Sequence, residues 1–214
     1  MSLKQKVIAI DGPSASGKGT VASRVAEALG FLYLDSGALY RLTALYAQKQ
    51  NVAWTDEDAV STLAETLPAQ FEGSAVLLNG EDVSEQIRTE AIGMGASAVA
   101  QLPKVRAALL QRQRDFLTEK GLVADGRDIG SVIFPDAALK IFLTASANVR
   151  AQRRAKQLGI PCEGVAFERI LSDIEARDEA DRRRPVAPLK QLPDALLLDT
   201  DNLSIEEAVK KVLD

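Results

Sequence analysis

Short apolar runs recur along the chain, each closed by a small or acidic residue and followed by apolar positions at helical spacing. Val7, Ile8, Ala9 and Ile10 form the first run, rich in β-branched residues, and Asp11, Gly12 and Pro13 close it. Such a run reads as a buried strand. From about Lys18 the period changes, and Val21, Ala22, Val25, Ala26 and Leu29 fall on one helical face. Further strands are expected at 31–34, 122–125, 139–143 and 195–199, with helices after Ser36 and over 55–67, 85–101, 103–120, 148–158 and 167–182. Ser36 stands where a helix N-cap belongs, Thr55 and Asp58 have capping-box spacing, and Ser204 with Glu207 cap the last helix. Strands alternating with helices predict an α/β protein built on a doubly wound parallel sheet. Residues 69–83 break that rhythm: turn clusters at 71–74 and 79–82 flank Ala75–Leu78, which predicts a small antiparallel β-hairpin insertion. Ligands of doubly wound sheets bind beyond the carboxyl ends of the strands, where Asp11, Asp35 and Asp125 lie.

The turn after the first strand carries the chemistry. Gly12, Gly17 and Lys18 have the spacing of a phosphate-binding P-loop, and Gly19 and Thr20 follow. Residues without Cβ let backbone N–H groups close around an anion, and the helix N-terminus aims a partial positive charge at the same point. Gly12, Pro13, Ser14, Ala15, Ser16, Gly17, Lys18, Gly19 and Thr20 are therefore the expected nucleotide-phosphate site, with Lys18 supplying a full charge. GTPases and motor ATPases place a Ser or Thr directly after the lysine to ligate magnesium. Here that position is Gly19, so Thr20 is the lesser metal candidate, and the G-K-G-T ending is more similar to nucleoside monophosphate kinases.

Composition narrows the chemistry. The chain has no histidine and one cysteine, Cys162, which excludes His-based triads, an internal disulfide and an ordinary structural zinc site. Its formal charge of −4 argues against general nucleic-acid binding. No apolar run approaches the roughly 20 residues of a membrane span. The first residues lead straight into a strand, so no signal peptide is expected and the cytoplasm is.

Against that acidic background, arginines gather near strand ends. Arg41 lies just inside the helix after Ser36, Arg127 follows the third core strand, and Arg150, Arg153 and Arg154 share one helical segment. Arg177 and Arg184 flank the end of another helix. Arginine forks grip phosphate, and phosphoryl transfer needs positioning and charge more than covalent chemistry. Arg182, Arg183 and Lys156 read instead as solvated helix faces with acidic neighbours.

Four segments, 34–41 (L-D-S-G-A-L-Y-R), 105–114 (V-R-A-A-L-L-Q-R-Q-R), 124–130 (A-D-G-R-D-I-G) and 177–189 (R-D-E-A-D-R-R-R-P-V-A-P-L), together with the P-loop, resemble the bacterial cytidylate kinase family over essentially the whole chain. That resemblance implies a P-loop kinase three-layer fold in one domain over 1–214, with a five-stranded parallel sheet, an antiparallel insertion at 69–83 and a helical lid at about 148–165. It implies phosphorylation of CMP and dCMP by ATP with Mg²⁺. Ser36, Arg41, Arg127 and Arg184 would hold the CMP phosphate; Tyr40, Arg177 and Asp181 would flank the sugar. Ser97, Arg106 and Asp128 would read the base, although Ser97 fits equally as a small residue for close helix packing. Arg150, Arg153 and Arg154 would close over the ATP phosphates as catalytic groups with Lys18 and Arg127, and Asp125 would orient magnesium-bound water. Cytosine pairs an amine donor with acceptors at N3 and O2, matching an aspartate acceptor and arginine and serine donors. A monomer is expected. The competing expectations are a kinase of UMP, AMP or shikimate, and a regulator that binds ATP without turnover. Trp54 and Cys162 have no assigned role.

Overall fold

The computed structural model describes residues 6–72 and 75–214. The turn expected at 73–74 and the first five residues lie outside that range. The chain divides into two compact units, residues to 34 with 116–214, and residues 35–115.

The first unit is built on β1 (Val7–Asp11), β2 (Leu32–Asp35), β6 (Leu122–Gly126), β7 (Leu139–Thr144) and β8 (Leu196–Asp199), in the order β2-β6-β1-β7-β8. β1 pairs in parallel with β6 and β7, and β7 in parallel with β8. All five residues of β1 are buried, as a central strand covered on both faces requires. On one face Ile8, Ile10, Val123, Ile141 and Leu143 meet α1 (Lys18–Leu29) and α8 (Ile205–Leu213) through Val21, Val25, Ala208 and Val212. α1 ends at Gly30, whose left-handed backbone lets its N–H reach the carbonyls of Ala26 and Glu27. The capping box of Ser204 and Glu207 opens α8 as expected. After β6 a π-helical turn, Ile129–Ile133, leads to β7. α6 (Ala147–Leu158) and α7 (Gly164–Arg183) then pack on each other through Ala151, Ala155, Phe167 and Ile174.

The second unit holds α2 (Ser36–Lys49), α3 (Glu57–Glu65), α4 (Glu90–Val99), α5 (Pro103–Arg114) and the strands β3 (Ala69–Glu72), β4 (Ala75–Leu78) and β5 (Glu81–Asp82). The insertion is an antiparallel sheet of three strands, one more than the expected hairpin, because Glu81 and Asp82 return along β4. Two expected caps move. Asp35, not Ser36, caps α2 by accepting from the Ala38 N–H, and Asp56 caps α3 through the Ala59 N–H. Trp54 acquires a role: its Nε1 donates to Ala44 O at 2.9 Å, and its ring lies against α4 where Gly95 leaves no Cβ to obstruct it.

Candidate active site

The phosphate loop sits at the carboxyl end of β1, where Gly12 N donates to Gly126 O at the end of β6. Gly12 passes the β7 backbone so closely that a Cβ would stand 2.0 Å from Leu143 O. Ala15 and Gly17 take left-handed backbone, at φ 55 and 88, which folds the loop back on itself. Lys18 opens α1, is buried, and donates from Nζ to Pro13 O at 3.1 Å. The buried hydroxyl oxygens of Ser14 and Ser16 have no hydrogen-bond partner. Buried polar atoms are ordinarily satisfied, so this loop has the chemistry of a cradle completed by an anion.

Two carboxylates stand behind it. Asp125, buried at the end of β6, accepts from the Tyr33 hydroxyl at 2.7 Å. A Cβ at Gly19 would stand 3.3 Å from the Tyr33 hydroxyl, tighter than an ordinary contact, so the small residue after the lysine leaves room for the hydroxyl that holds Asp125. Among the described residues no three carboxylate, thiol or imidazole side chains gather as a metal cage. A lone buried carboxylate beside an anion cradle is a donor set that fits a hydrated cation held chiefly by phosphate and water oxygens. Thr20, the lesser candidate, is exposed.

Asp11 accepts from the Ile129 and Gly130 N–H groups, both at 2.8 Å, and so pins the π-helical turn to the end of β1. Burial pushes its carboxyl up to about 6, with the Asp128 charge adding to the rise; the two N–H groups and Lys18 work the other way. A carboxyl raised by folding contributes stability that is full below its unfolded value and lost as pH climbs through the folded one. Asp11→Asn removes that titration. The variant should therefore trail the wild type by about 1 kcal/mol more at pH 5 than at pH 7.5 in urea unfolding. An equal gap at both pH values would mean that Asp11 does not titrate in this window.

Arg127 donates from Nε to Asp181 Oδ2 at 2.6 Å and from Nη1 to Gly126 O at 3.3 Å. Burial opposes its charge, but Asp181, with Asp125 and Asp11 adding to it, holds the guanidinium pKa above its ordinary value. Arg184, also buried, donates to Ala187 O. Asp128 is buried directly after Arg127, and Arg177 lies on α7 one turn before Asp181. The first unit thus gathers Lys18, Asp125 and Arg127 around the ends of β1 and β6, with Asp181 brought in from α7.

Arg150 and Arg153, expected over the ATP phosphates, both reach carbonyl oxygens of the phosphate loop. Arg150 is buried, its fork on Asp178 and on the loop carbonyl of Ser14. Arg153 reaches Ser16 O and Thr200. Both guanidinium groups are engaged by protein oxygens. Arg154 is half-buried.

In the second unit, Ser36, Tyr40 and Arg41 stand on the first turns of α2. Tyr40 carries the Arg106 guanidinium over its ring at 5.6 Å, and Arg106 also donates to Ala100 O at 3.2 Å. Arg41 donates to Ile87 O at 2.8 Å. Ser97 is half-buried on α4. Ser36 donates to Gln113 Oε1 at 2.6 Å, and Gln113 is fully buried. The sequence assigns Gln113 no role and reads Asp178 only as an acidic neighbour of the helix arginines, yet each interrupts an apolar stripe: Gln113 follows Val105 and Leu109, and Asp178 follows Phe167 and Ile174. A polar residue on the buried face of a helix is the signal that could have found them.

A parallel sheet with an anion cradle between β1 and α1, a buried lysine and a carboxylate at the next strand end define a P-loop phosphotransferase. Residues 8–214 match the family described as Cytidylate kinase. The chain is 81% identical over 211 residues to the cytidylate kinase of Neisseria meningitidis serogroup C, covering 99% of this chain and 97% of that one. It is 61% identical to that of Chromobacterium violaceum, covering 97% and 94%, and 54% identical to that of Pseudomonas syringae pv. tomato, covering 100% and 96%. The chain belongs to the cytidylate kinase family. In fold it is also similar to a solved structure, an uncharacterized protein from Eubacterium ventriosum, at 11% identity and a TM-score of 0.52, covering 98% and 96% of the two chains.

Proposed function

We propose that the protein transfers the terminal phosphoryl group of ATP to CMP and dCMP, with magnesium, in pyrimidine nucleotide metabolism. The observation that carries this reading is the phosphate cradle at 12–18, with its unpartnered Ser14 and Ser16 hydroxyls, in a chain of this family. The loop amides and Lys18 take the ATP phosphates. Magnesium, when bound, offsets charge between the phosphates, and Asp125 orients its water, with Thr20 the lesser contact. Arg127, Arg184, Arg41 and Ser36 take the CMP phosphate; Tyr40, Arg177 and Asp181 flank the sugar; Ser97, Arg106 and Asp128 read the base. The acceptor phosphate is already an anion and needs no general base, so a chain without histidine suffices. Catalysis is then positioning and charge compensation, with Lys18, Arg127 and Arg154 facing the transferred group. The reading treats 1–214 as one kinase domain with an insertion at 69–83 and a lid at about 148–165. It places the protein in the cytoplasm as a monomer with no nucleic-acid or membrane partner. The exposed lone thiol of Cys162 suits a reducing compartment, and no helix among the described residues is long and apolar enough to cross a membrane.

Initial rates with CMP, dCMP, UMP, AMP and shikimate test it. CMP and dCMP should be consumed fastest. Faster use of UMP or AMP overturns the acceptor assignment, and no ADP with any acceptor overturns the kinase reading. Asp128→Asn should cut the CMP-over-UMP preference by about tenfold or more, because asparagine can donate to the uracil O4 that aspartate repels. An unchanged preference moves base reading to another residue.

A further inference from the structure

The arginines of α6 meet the phosphate loop from its carbonyl side. Arg150 Nη1 lies 3.0 Å from Ser14 O, and Arg153 Nη1 lies 3.3 Å from Ser16 O. A trans peptide is planar, so its N–H points away from its C=O. Holding these two carbonyls toward α6 turns the N–H groups of Ala15 and Gly17 the opposite way. Those residues carry the left-handed backbone of the loop, the alternation that makes a concave anion nest of successive amides. Ala15 has a side chain, so its φ of 55 is unfavourable in isolation and persists only where surrounding bonds over-determine it.

Arg150 can brace the loop only because it is itself held. Its Nε donates to Ala145 O at 2.9 Å, and its two Nη groups meet the two oxygens of Asp178 at 3.0 and 2.5 Å. Both side chains are 3% exposed as residues. A guanidinium this deep is disfavoured without a counter-ion, and with one oxygen on each Nη it is fixed in plane as well as in position. Four of its five N–H groups are thereby engaged by protein oxygens.

We infer that Asp178 is a positioning residue for the nucleotide phosphates: it locks Arg150 against Ser14 O and so aims the loop amides, without touching substrate. Arg153, anchored on Thr200, does the same at Ser16 O. The helix α7, one turn before its own end, thereby sets the shape of a loop more than 150 residues upstream in the chain.

The inference rests on the reading that 12–20 hold ATP phosphates, and wild-type turnover of CMP with ATP checks that reading first. Inorganic tripolyphosphate, a phosphate chain with no base or sugar, is the probe. In Asp178→Asn the KM for ATP and the inhibition constant of tripolyphosphate should both rise about tenfold, while the KM for CMP stays within about twofold. Arg150→Lys should give the same pattern, and the double variant should be no worse than either single one, because one strut is lost only once. Unchanged tripolyphosphate inhibition, an equal rise for ATP and CMP, or additive losses in the double variant would each overturn the inference. Should Asp178→Asn fail to fold, Arg153→Lys carries the same test. It keeps the charge but loses the fork, and an unaltered KM for ATP there overturns the inference as well.

Discussion

Lys18→Ala is expected to lower kcat by roughly 10²–10³-fold, about 3–4 kcal/mol of lost transition-state stabilisation, while the protein still folds. The ammonium is buried at the first residue of α1 and rests on Pro13 O, a neutral acceptor inside its own loop. An arriving phosphate offers a charged acceptor at the same place, so the lysine exchanges a weak partner for a strong one without moving its helix. Its removal costs the fold the hydrogen bond to that backbone carbonyl, about 1 kcal/mol, together with its attraction for the Asp11 carboxylate. A second consequence follows from its neighbour. Lys18 is among the groups holding the Asp11 carboxyl down against burial, so without it the Asp11 pKa climbs further above about 6. A carboxyl raised higher loses more stability once it is ionised, so the variant should melt further below the wild type at pH 7.5 than at pH 5. Stopped-time assays with saturating ATP and CMP give the first quantity, and thermal melts at the two pH values give the second. A kcat within a few-fold of wild type would remove Lys18 from the phosphate clamp.

The loop that Lys18 serves was legible in the sequence because everything that makes it is local. A β-branched run, a glycine spacing and a helical stripe lie within residues 7–29, so the pattern can be recognised without knowing any distant partner. The parallel sheet was legible for a related reason: buried strands separated by helices have few ways to connect. Where local signals compete, spacing alone does not choose between them. Asp35 and Ser36 are both good caps, and the choice falls to Asp35 because the Ser36 hydroxyl is drawn away by Gln113, 77 residues further on. The helix expected over 85–101 begins at Glu90, because the Thr89 hydroxyl caps Ile92 N after a 3₁₀ turn at Gln86–Arg88. The arginines mark the limit most clearly. Charge and number are visible in a sequence, but the direction of a guanidinium is set by what it meets. The partners of Arg150 lie 28 and 136 residues away in the chain. One-dimensional spacing identified a basic helix and gave no means of dividing it into groups that touch phosphate and groups that hold the protein in shape.

Gly12→Ala should be far more damaging than Gly17→Ala, lowering both ATP affinity and thermal stability, whereas Gly17→Ala should cost only about 1–2 kcal/mol. The two glycines of the motif are required for different reasons. Gly17 has φ 88 and nothing within 4 Å of a Cβ, so alanine there meets open space and pays only in backbone conformation. Gly12 has no such dihedral requirement. Its Cβ would stand 2.0 Å from the carbonyl oxygen of Leu143 and 3.1 Å from the carbonyl carbon, far inside van der Waals contact. The obstacle is backbone of β7, which is paired with β1 in register up to Asp11 and Phe142 and cannot swing aside as a side chain would. Relief requires β1 and β7 to part at their carboxyl ends or the loop to rise from the sheet, and overpacking of this kind typically costs about 1–3 kcal/mol or more. Either movement also disturbs the hydrogen bond from Gly12 N to Gly126 O and shifts the amides that follow. Melting temperatures and ATP dissociation constants of the two variants, measured side by side, separate the effects. Gly12→Ala should lose at least tenfold in ATP affinity and melt several degrees lower. A Gly12→Ala protein no worse than Gly17→Ala in both measurements would mean that the loop does not depend on its close passage over β7.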